Sequence, residues 1–322
     1  MARLPVLNLA LRSIANRRAT AILTVLTVAI SVMLFLGVEK VRHGARESFE
    51  NTISGVDLIV GARSSPVNLL LYSVFHIGDA TNNITWESYE TVASAPGVAW
   101  TVPISLGDSH RGHRVIGTNP TLFEHYQYGR GRHLEFASGR SFDSLFEAVI
   151  GAAVARELGY QTGEDIIVAH GMGDVGFIEH DSNPFTVVGV LAPTGTPLDQ
   201  SVMVTLEAIE AIHLGGATGS GASLPADELR AMDLTPDQLT AFFVGLDSPV
   251  AALRLQRAIN TYPEEPLQAV IPGVALAQLW SIVGVAERTL AAVAAFVVLT
   301  GLVSILTAIL TSLNERRREM AI

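Results

Sequence analysis

Nine histidines are the first residues in this chain with chemistry to offer, and all of them, His43, His76, His110, His113, His125, His133, His170, His180 and His213, fall between residues 39 and 288. Asp108, His110 and His113 sit in or beside a stretch, Gly107-Asp108-Ser109-His110-Arg111-Gly112, that reads as a turn, and Glu179, His180 and Asp181 share another. Imidazole beside carboxylate suits zinc, so His110, His113 and His180 are the weak metal candidates. A site needs three or four ligands that converge, no HExxH occurs, and the plain alternative is a set of polar loops with solvated histidines. Residues 171–176, GMGDVG, match GxGxxG after a strand-like run. In a dinucleotide site a helix follows, so that its N-terminus faces the pyrophosphate; here Phe177-Ile178-Glu179-His180-Asp181 and then Pro184 follow, and the segment reads as a hairpin loop. Residues 216–223 are glycine-rich but hold no lysine, and no GxxxxGK[ST] occurs, so the chain does not hydrolyse ATP by that mechanism. With no cysteine, a thiol nucleophile, a thiolate metal site and a disulfide are all excluded.

What could position such residues is set by composition. The 322 residues are 49% hydrophobic and 16% charged, where a soluble domain carries about a quarter charged residues. The formal net charge of −10 argues against neutralising nucleic-acid phosphates. Residues 19–38 and 289–313 carry no charge at all. At about 1.5 Å per helical residue, each run reaches the roughly 30 Å of a hydrocarbon core. Arg3, Arg12, Arg17 and Arg18 precede the first run without an acid, and Arg316, Arg317 and Arg318 follow the second beside Glu315 and Glu319. By the positive-inside rule both ends lie in the cytoplasm and residues from about 39 to 288 lie outside. Upstream, Leu4, Leu7, Leu11 and Ile14 recur at helical spacing, the pattern of an amphipathic helix on the cytoplasmic surface.

The outer segment mixes strand-like and helix-like patches. Val41, Ala45, Phe49 and Ile53 extend the first helix outward. Residues 55–61, 98–106, 114–117, 166–169, 185–191, 202–204, 242–246 and 267–271 read as strands, and 148–158 as a strand leading into a helix; residues 84–95, with Thr85 as N-cap, 206–213 and 249–262 read as helices, and 214–223 as a linker. From residue 274 to 318 only Gly284 and Gly301 interrupt a helical pattern, which predicts a rod of roughly 65 Å. The fold class expected is therefore a membrane protein in which two transmembrane α-helices flank a large α+β extracytoplasmic domain. Its parts are an amphipathic helix (1–18), a first span (19–38), an outer domain (39–273), a stalk helix (274–288), a second span (289–313) and a cytoplasmic segment (314–322).

Several motifs together carry a resemblance: Asn16-Arg17-Arg18 before the first span, Gly55-Val56-Asp57-Leu58-Ile59-Val60, Ala148-Val149-Ile150-Gly151 with Val154-Ala155-Arg156-Glu157-Leu158-Gly159, Phe185-Thr186-Val187-Val188-Gly189-Val190-Leu191, and Asn314-Glu315-Arg316-Arg317-Arg318-Glu319-Met320-Ala321-Ile322 after the second span. Over essentially its whole length the chain resembles the FtsX/MacB/LolC-type permeases of ABC systems, with a MacB-like periplasmic core domain. The resemblance implies a non-catalytic permease in the bacterial inner (cell) membrane. It implies a separate ATP-binding subunit that holds the ATP, with no cofactor in this chain, a second permease copy or homologue, and a periplasmic partner or substrate protein. Membrane lipid is a further partner; nucleic acid is not. Glu315, Arg316, Arg317, Arg318 and Glu319 would couple to the ATPase, and Trp280, Val283, Glu287 and Leu290 would belong to the rod. Family members continue into a coupling helix and two more spans, so the chain is expected to be a truncated member. The other classes are a two-span receptor with a ligand-binding outer domain and a membrane-anchored outer enzyme.

Overall fold

The computed structural model describes residues 18–170, 183–217 and 225–319. The expected amphipathic helix up to residue 17, the GxGxxG segment, His180 and most of the 214–223 linker lie outside these residues. The chain divides into two compact units, one of residues 1–46 with 280–322 and one of residues 47–279.

The first unit is helical. It takes in most of α1 (Arg18–Glu50) and all of α9 (Pro272–Glu319) from Trp280 onward. Leu23, Leu26, Met33 and Leu36 of α1 and Phe296, Leu299, Leu302 and Leu306 of α9 are exposed apolar side chains. Among the described residues one stretch, Pro272–Val303, is long and apolar enough to cross a membrane. α9 runs through Gly284 and Gly301 without a break. The Arg46 guanidinium lies 5.7 Å from the Trp280 ring centroid, a cation–π contact between the two helices.

The second unit is built on one mixed sheet. Its main strands are β1 (Leu58–Ala62), β2 (Val98–His110), β3 (His113–Thr118), β4 (Phe136–Gly139), β5 (Glu147–Ile150), β6 (Phe185–Leu191), β7 (Ser201–Thr205), β8 (Ala241–Leu246) and β9 (Leu267–Val270). They lie in the order β9-β1-β8-β2-β3-β7-β5-β6-β4, with β3–β7 and β5–β6 parallel and the other neighbours antiparallel. Six helices accompany them: α2 (Pro66–Val74), α3 (Trp86–Ala93), α4 (Thr121–His125), α5 (Ala152–Leu158), α6 (Leu206–Ala217) and α8 (Ala252–Asn260), with a single turn, α7 (Ala226–Leu229). This is the α+β architecture expected.

Most strands are buried on both faces, which is why they read as unbroken apolar runs. The two faces differ. On one, Ile59, Val102, Ile104, Ile116, Val149, Leu191, Met203, Phe243 and Val270 form a single core that crosses the sheet. On the other, the alternate residues fall into two separate cores. Leu58, Val60, Phe242 and Val244 pack with Tyr89 and Val92 of α3 and Ile259 of α8. Val115, Ile150, Val187, Val202 and Val204 pack with Val154 of α5 and Ile209 and Ile212 of α6. We call these the first and second lobes. β2 belongs to both: residues 98–104 pair with β8, and 105–110 pair with β3. The β9 edge is closed by amide side chains, since Asn260 accepts from the Ala269 N–H (2.6 Å) and Gln256 donates to the Ala269 carbonyl (3.0 Å).

Several local readings are corrected. Residues 107–110 are not turn but the end of β2, because Asp108 and Ser109 pair on their other side with the short strand Ala169–His170, and tertiary pairing outweighs their weak strand propensity. The turn is only Arg111-Gly112, both with positive φ (47° and 83°), as a two-residue hairpin requires. α6 runs through Gly215-Gly216 to Ala217, and α8 begins at Ala252 after a short 3-10 turn at Pro249. Thr85 does cap α3, accepting from the Ser88 N–H at 3.3 Å. α2, which the sequence reading lacked, opens on Ser65, whose hydroxyl accepts from the Asn68 N–H, with Pro66 in its first turn.

Candidate functional site

The end of α1 and the start of α9 are rooted in the same core. Phe49, in the last turn of α1, and Ile53 and Val56 just beyond it pack against the face-wide core, and so do Ala275, fully buried, and Leu276 in the first turns of α9. Pro272 suits the first helical position, where no N–H partner is needed. The Val274 and Ala275 N–H groups then donate to the Ile271 carbonyl at 3.0 and 3.1 Å. Phe49 meets Phe75, the residue after α2, with ring centroids 4.3 Å apart.

Two sets of hydrogen bonds spread from this root. The segment after α1 is held by the chain around residue 127: the Ser54 N–H donates to the Gln127 carbonyl (2.9 Å), the Gly129 N–H to the Asn51 carbonyl (2.6 Å), and the buried Tyr126 hydroxyl to the Thr52 carbonyl. Burial pushes the Tyr126 phenol well above its usual range, so it stays a donor. The second set starts where α2 ends. His76 adopts a left-handed φ of 55°, turning the chain into Ile77-Gly78-Asp79. Its Nδ1 lies 3.2 Å from the Ser201 hydroxyl, which also lies 3.0 Å from the Pro197 carbonyl. Burial, helped by the Arg114 charge, pushes the His76 imidazole down to about 3, so it is neutral near pH 7. With the serine proton on Pro197, Nδ1–H of His76 is the donor to Ser201. Arg114 donates from Nη1 and Nη2 to one Asp79 oxygen (both 3.2 Å) and from Nη2 to the Gly78 carbonyl (3.2 Å). The Arg114 side chain is 8% exposed and that of Asp79 is 79% exposed. Arg114 and Ser201 are register partners in the parallel pair β3–β7, so the turn after α2 is tied to the second lobe.

The expected rod residues fall on α9. Trp280, Val283 and Glu287 are half-buried and share a face at helical spacing, whereas Leu290 is exposed. Trp280 meets Arg46, a partner that no spacing pointed to. Glu315, Arg316, Arg317, Arg318 and Glu319 occupy the last turns of the same helix.

The histidine candidates are not brought together. His110 and His113 are register partners across the hairpin, but their rings have different neighbours. His110 places Nδ1 2.6 Å from the Ile167 carbonyl and Nε2 3.1 Å from the Tyr160 hydroxyl, and burial lowers its proton affinity. His113 turns to the Gln200 carbonyl (3.2 Å) and to Glu157 (3.8 Å). Among the described residues no group of three or more metal-ligating side chains converges.

Residues 21–262 match the family model of the MacB-like periplasmic core domain. Among solved structures, the periplasmic region of MacB from Actinobacillus actinomycetemcomitans is similar at 10% identity and a TM-score of 0.43, over 70% of this chain and 94% of that one. The extracellular domain of the ABC-type transporter YknZ from Gram-positive bacteria is similar at 14% identity and a TM-score of 0.37, over 66% of this chain and 98% of that one. A search of curated proteins gives no match.

Proposed function

This chain belongs to the MacB-like periplasmic core domain family of ABC transporter permeases, and on that premise we propose that it is the permease subunit of a mechanotransmission machine. In this reading residues 19–38 and the apolar part of α9 both cross the bacterial inner membrane, both ends of the chain are cytoplasmic, and the sheet domain lies in the periplasm. A separate ATPase binds near Glu315, Arg316, Arg317, Arg318 and Glu319, beside a second permease copy or homologue. Closure of the ATPase displaces α9, and the outer domain changes shape to move or release a lipoprotein, a peptide or another envelope substrate. The chain itself performs no catalysis and binds no cofactor.

The observation that carries the reading is the shared root. Phe49, Ile53 and Val56 from one helix and Ala275 and Leu276 from the other join one close-packed core that crosses the sheet. Close-packed interiors transmit displacement rather than absorb it, so a shift of either helix is felt by both lobes. The unbroken α9 supports the same reading, because a continuous hydrogen-bonded helix is a stiff strut.

The test is Val283→Pro, made in the complete permease with its ATPase. Proline removes a backbone hydrogen bond and clashes with the preceding turn, at about 3 kcal/mol or more. Assembly and ATP hydrolysis should persist while outer activity is lost, and Val283→Gly, at about 1 kcal/mol against alanine, should do much less. Normal outer activity in Val283→Pro would rule out drive through this helix.

A further inference from the structure

Asp108 carries a carboxylate where a strand seldom keeps one. It lies in β2 at an irregularity in the β2–β3 pairing between Leu106 and Ser109, and its side chain is 2% exposed. Across from it stands α6. The N-terminal part of that helix is fixed by packing: Thr205 Oγ1 accepts from the Ala208 N–H at 3.2 Å, and Ile209 lies so close to β3 that a Cβ on Gly117 would come within 2.7 Å of it. One turn beyond Ile209, His213 brings its Nε2 to 3.7 Å from the Asp108 carboxylate, with its own side chain 38% exposed. A buried carboxylate facing a half-exposed imidazole on the next layer ties helix to strand, and the strength of the tie depends on one proton.

We infer that Asp108 and His213 form an acid-tightened latch that holds the far part of α6 on the β2–β3 hairpin, closed while the imidazole carries its proton and loosened when the proton leaves. The groups that act on His213 agree with this. Asp108 comes first, by hydrogen bond and then by charge, with Glu210 one turn earlier on α6 adding to it; together they outweigh burial and raise the imidazole above its ordinary 6.5. Asp237 acts in turn on Glu210, which burial raises first. On β2, burial pushes the His110 imidazole below its ordinary value. His170 is the register partner of Asp108. The sign follows from linkage. A histidine that holds its proton more tightly folded than unfolded contributes fully below the unfolded value, and the contribution is lost as pH rises through the folded one. The latch therefore loosens as pH rises through a folded value above the ordinary one. It stands whether or not the chain is a permease, since only residues of the sheet domain enter it.

The experiment is hydrogen exchange by mass spectrometry on the full chain in detergent micelles, corrected for chemical exchange rates and read over residues 206–217 relative to β3. Between about pH 6 and pH 9, which bracket the imidazole titration, protection in the unmodified chain should fall by about fivefold, the upper end for a pair with one exposed partner. In His213→Gln, which keeps a donor but no charge, protection should not change with pH, while His170→Gln and Glu210→Gln should keep the dependence. Equal protection at both pH values in the unmodified chain would overturn the latch. So would a dependence that survives His213→Gln or vanishes in His170→Gln or Glu210→Gln. If His213→Gln does not fold, C2–H exchange of His213 in the unmodified chain decides, and a titration midpoint at or below the ordinary value overturns the proposal.

Discussion

The Arg114–Asp79 pair offers a sharp test of how the turn after α2 is held, because its two members live in different solvents. Arg114 is 8% exposed and Asp79 is 79% exposed. Removing the aspartate leaves a buried guanidinium with the Gly78 carbonyl as its remaining hydrogen-bond acceptor and with Nε already unpartnered. Removing the arginine leaves a carboxylate in water. Breaking a fully buried pair costs about 3–5 kcal/mol; here the Gly78 bond survives and solvent reaches one side, so about 2 kcal/mol is expected for Asp79→Ala. Arg114→Met keeps most of the packing volume and strands no buried charge, so at most about 1 kcal/mol is expected. The double variant should match Arg114→Met, because without the guanidinium the missing carboxylate no longer matters. In a domain of this size 1 kcal/mol moves Tm by roughly 2–4 °C, so Asp79→Ala should melt about 4–8 °C early. Tryptophan fluorescence on the full chain in micelles reads this, since Trp86 and Trp100 lie in the sheet domain. Equal losses in the two single variants, or additive losses in the double, would refute the asymmetry and with it the view that the turn is clamped by a buried cation.

Topology is open to direct labelling: with a membrane-impermeant thiol reagent applied outside intact cells with a permeable outer envelope, Ser109→Cys should label and Ser13→Cys should not, and the reverse pattern would invert the orientation. Label at Ser109 is expected to be slow, because its neighbours Asp108 and His110 are buried and Ser109 itself is only 2% exposed, so reaction should quicken under mild denaturant. Replacing Arg316, Arg317 and Arg318 together by alanine should uncouple ATP hydrolysis from outer activity once correct insertion has been checked, since three inside charges are also lost; coupled transport at the normal rate would remove these residues from the ATPase contact.

The large features of the molecule were legible because they depend on local pattern. The charge-free run inside α9, the alternating and continuous apolar runs of β2 and β6, and the Thr85 cap each write their cause into neighbouring residues. The helical spacing of Val41, Ala45, Phe49 and Ile53 also pointed to an α1 that continues outward, and the structure carries it to Glu50. The junction was not legible as a junction. Its centre is the Phe49–Phe75 contact, and Phe75 follows α2, a nine-residue helix whose sequence PVNLLLYSV is mostly apolar and too short to show a period. The clamp behind it joins Asp79 to Arg114 and His76 to Ser201, partners 35 and 125 residues apart, and no spacing rule reaches that far. The histidine-rich turn was misread for a related reason: Gly107, Asp108 and Ser109 look like turn formers, and only the strand Ala169–His170 beside them makes them a strand.

The unequal dressing of the two sides of the sheet has a mechanical consequence. On the side of the single core, bending the sheet shears one close-packed layer along its whole width, and each sliding contact resists. On the other side the helices build two separate cores, bridged where Leu206 at the start of α6 packs with the first lobe, so a fold line along β2 shears a short seam rather than a continuous layer. A plate reinforced continuously on one surface and in two panels on the other is compliant in one sense of curvature and stiff in the opposite sense. The two halves of β2, each paired to a different lobe, place the crease at the strand where the pairing already changes partner.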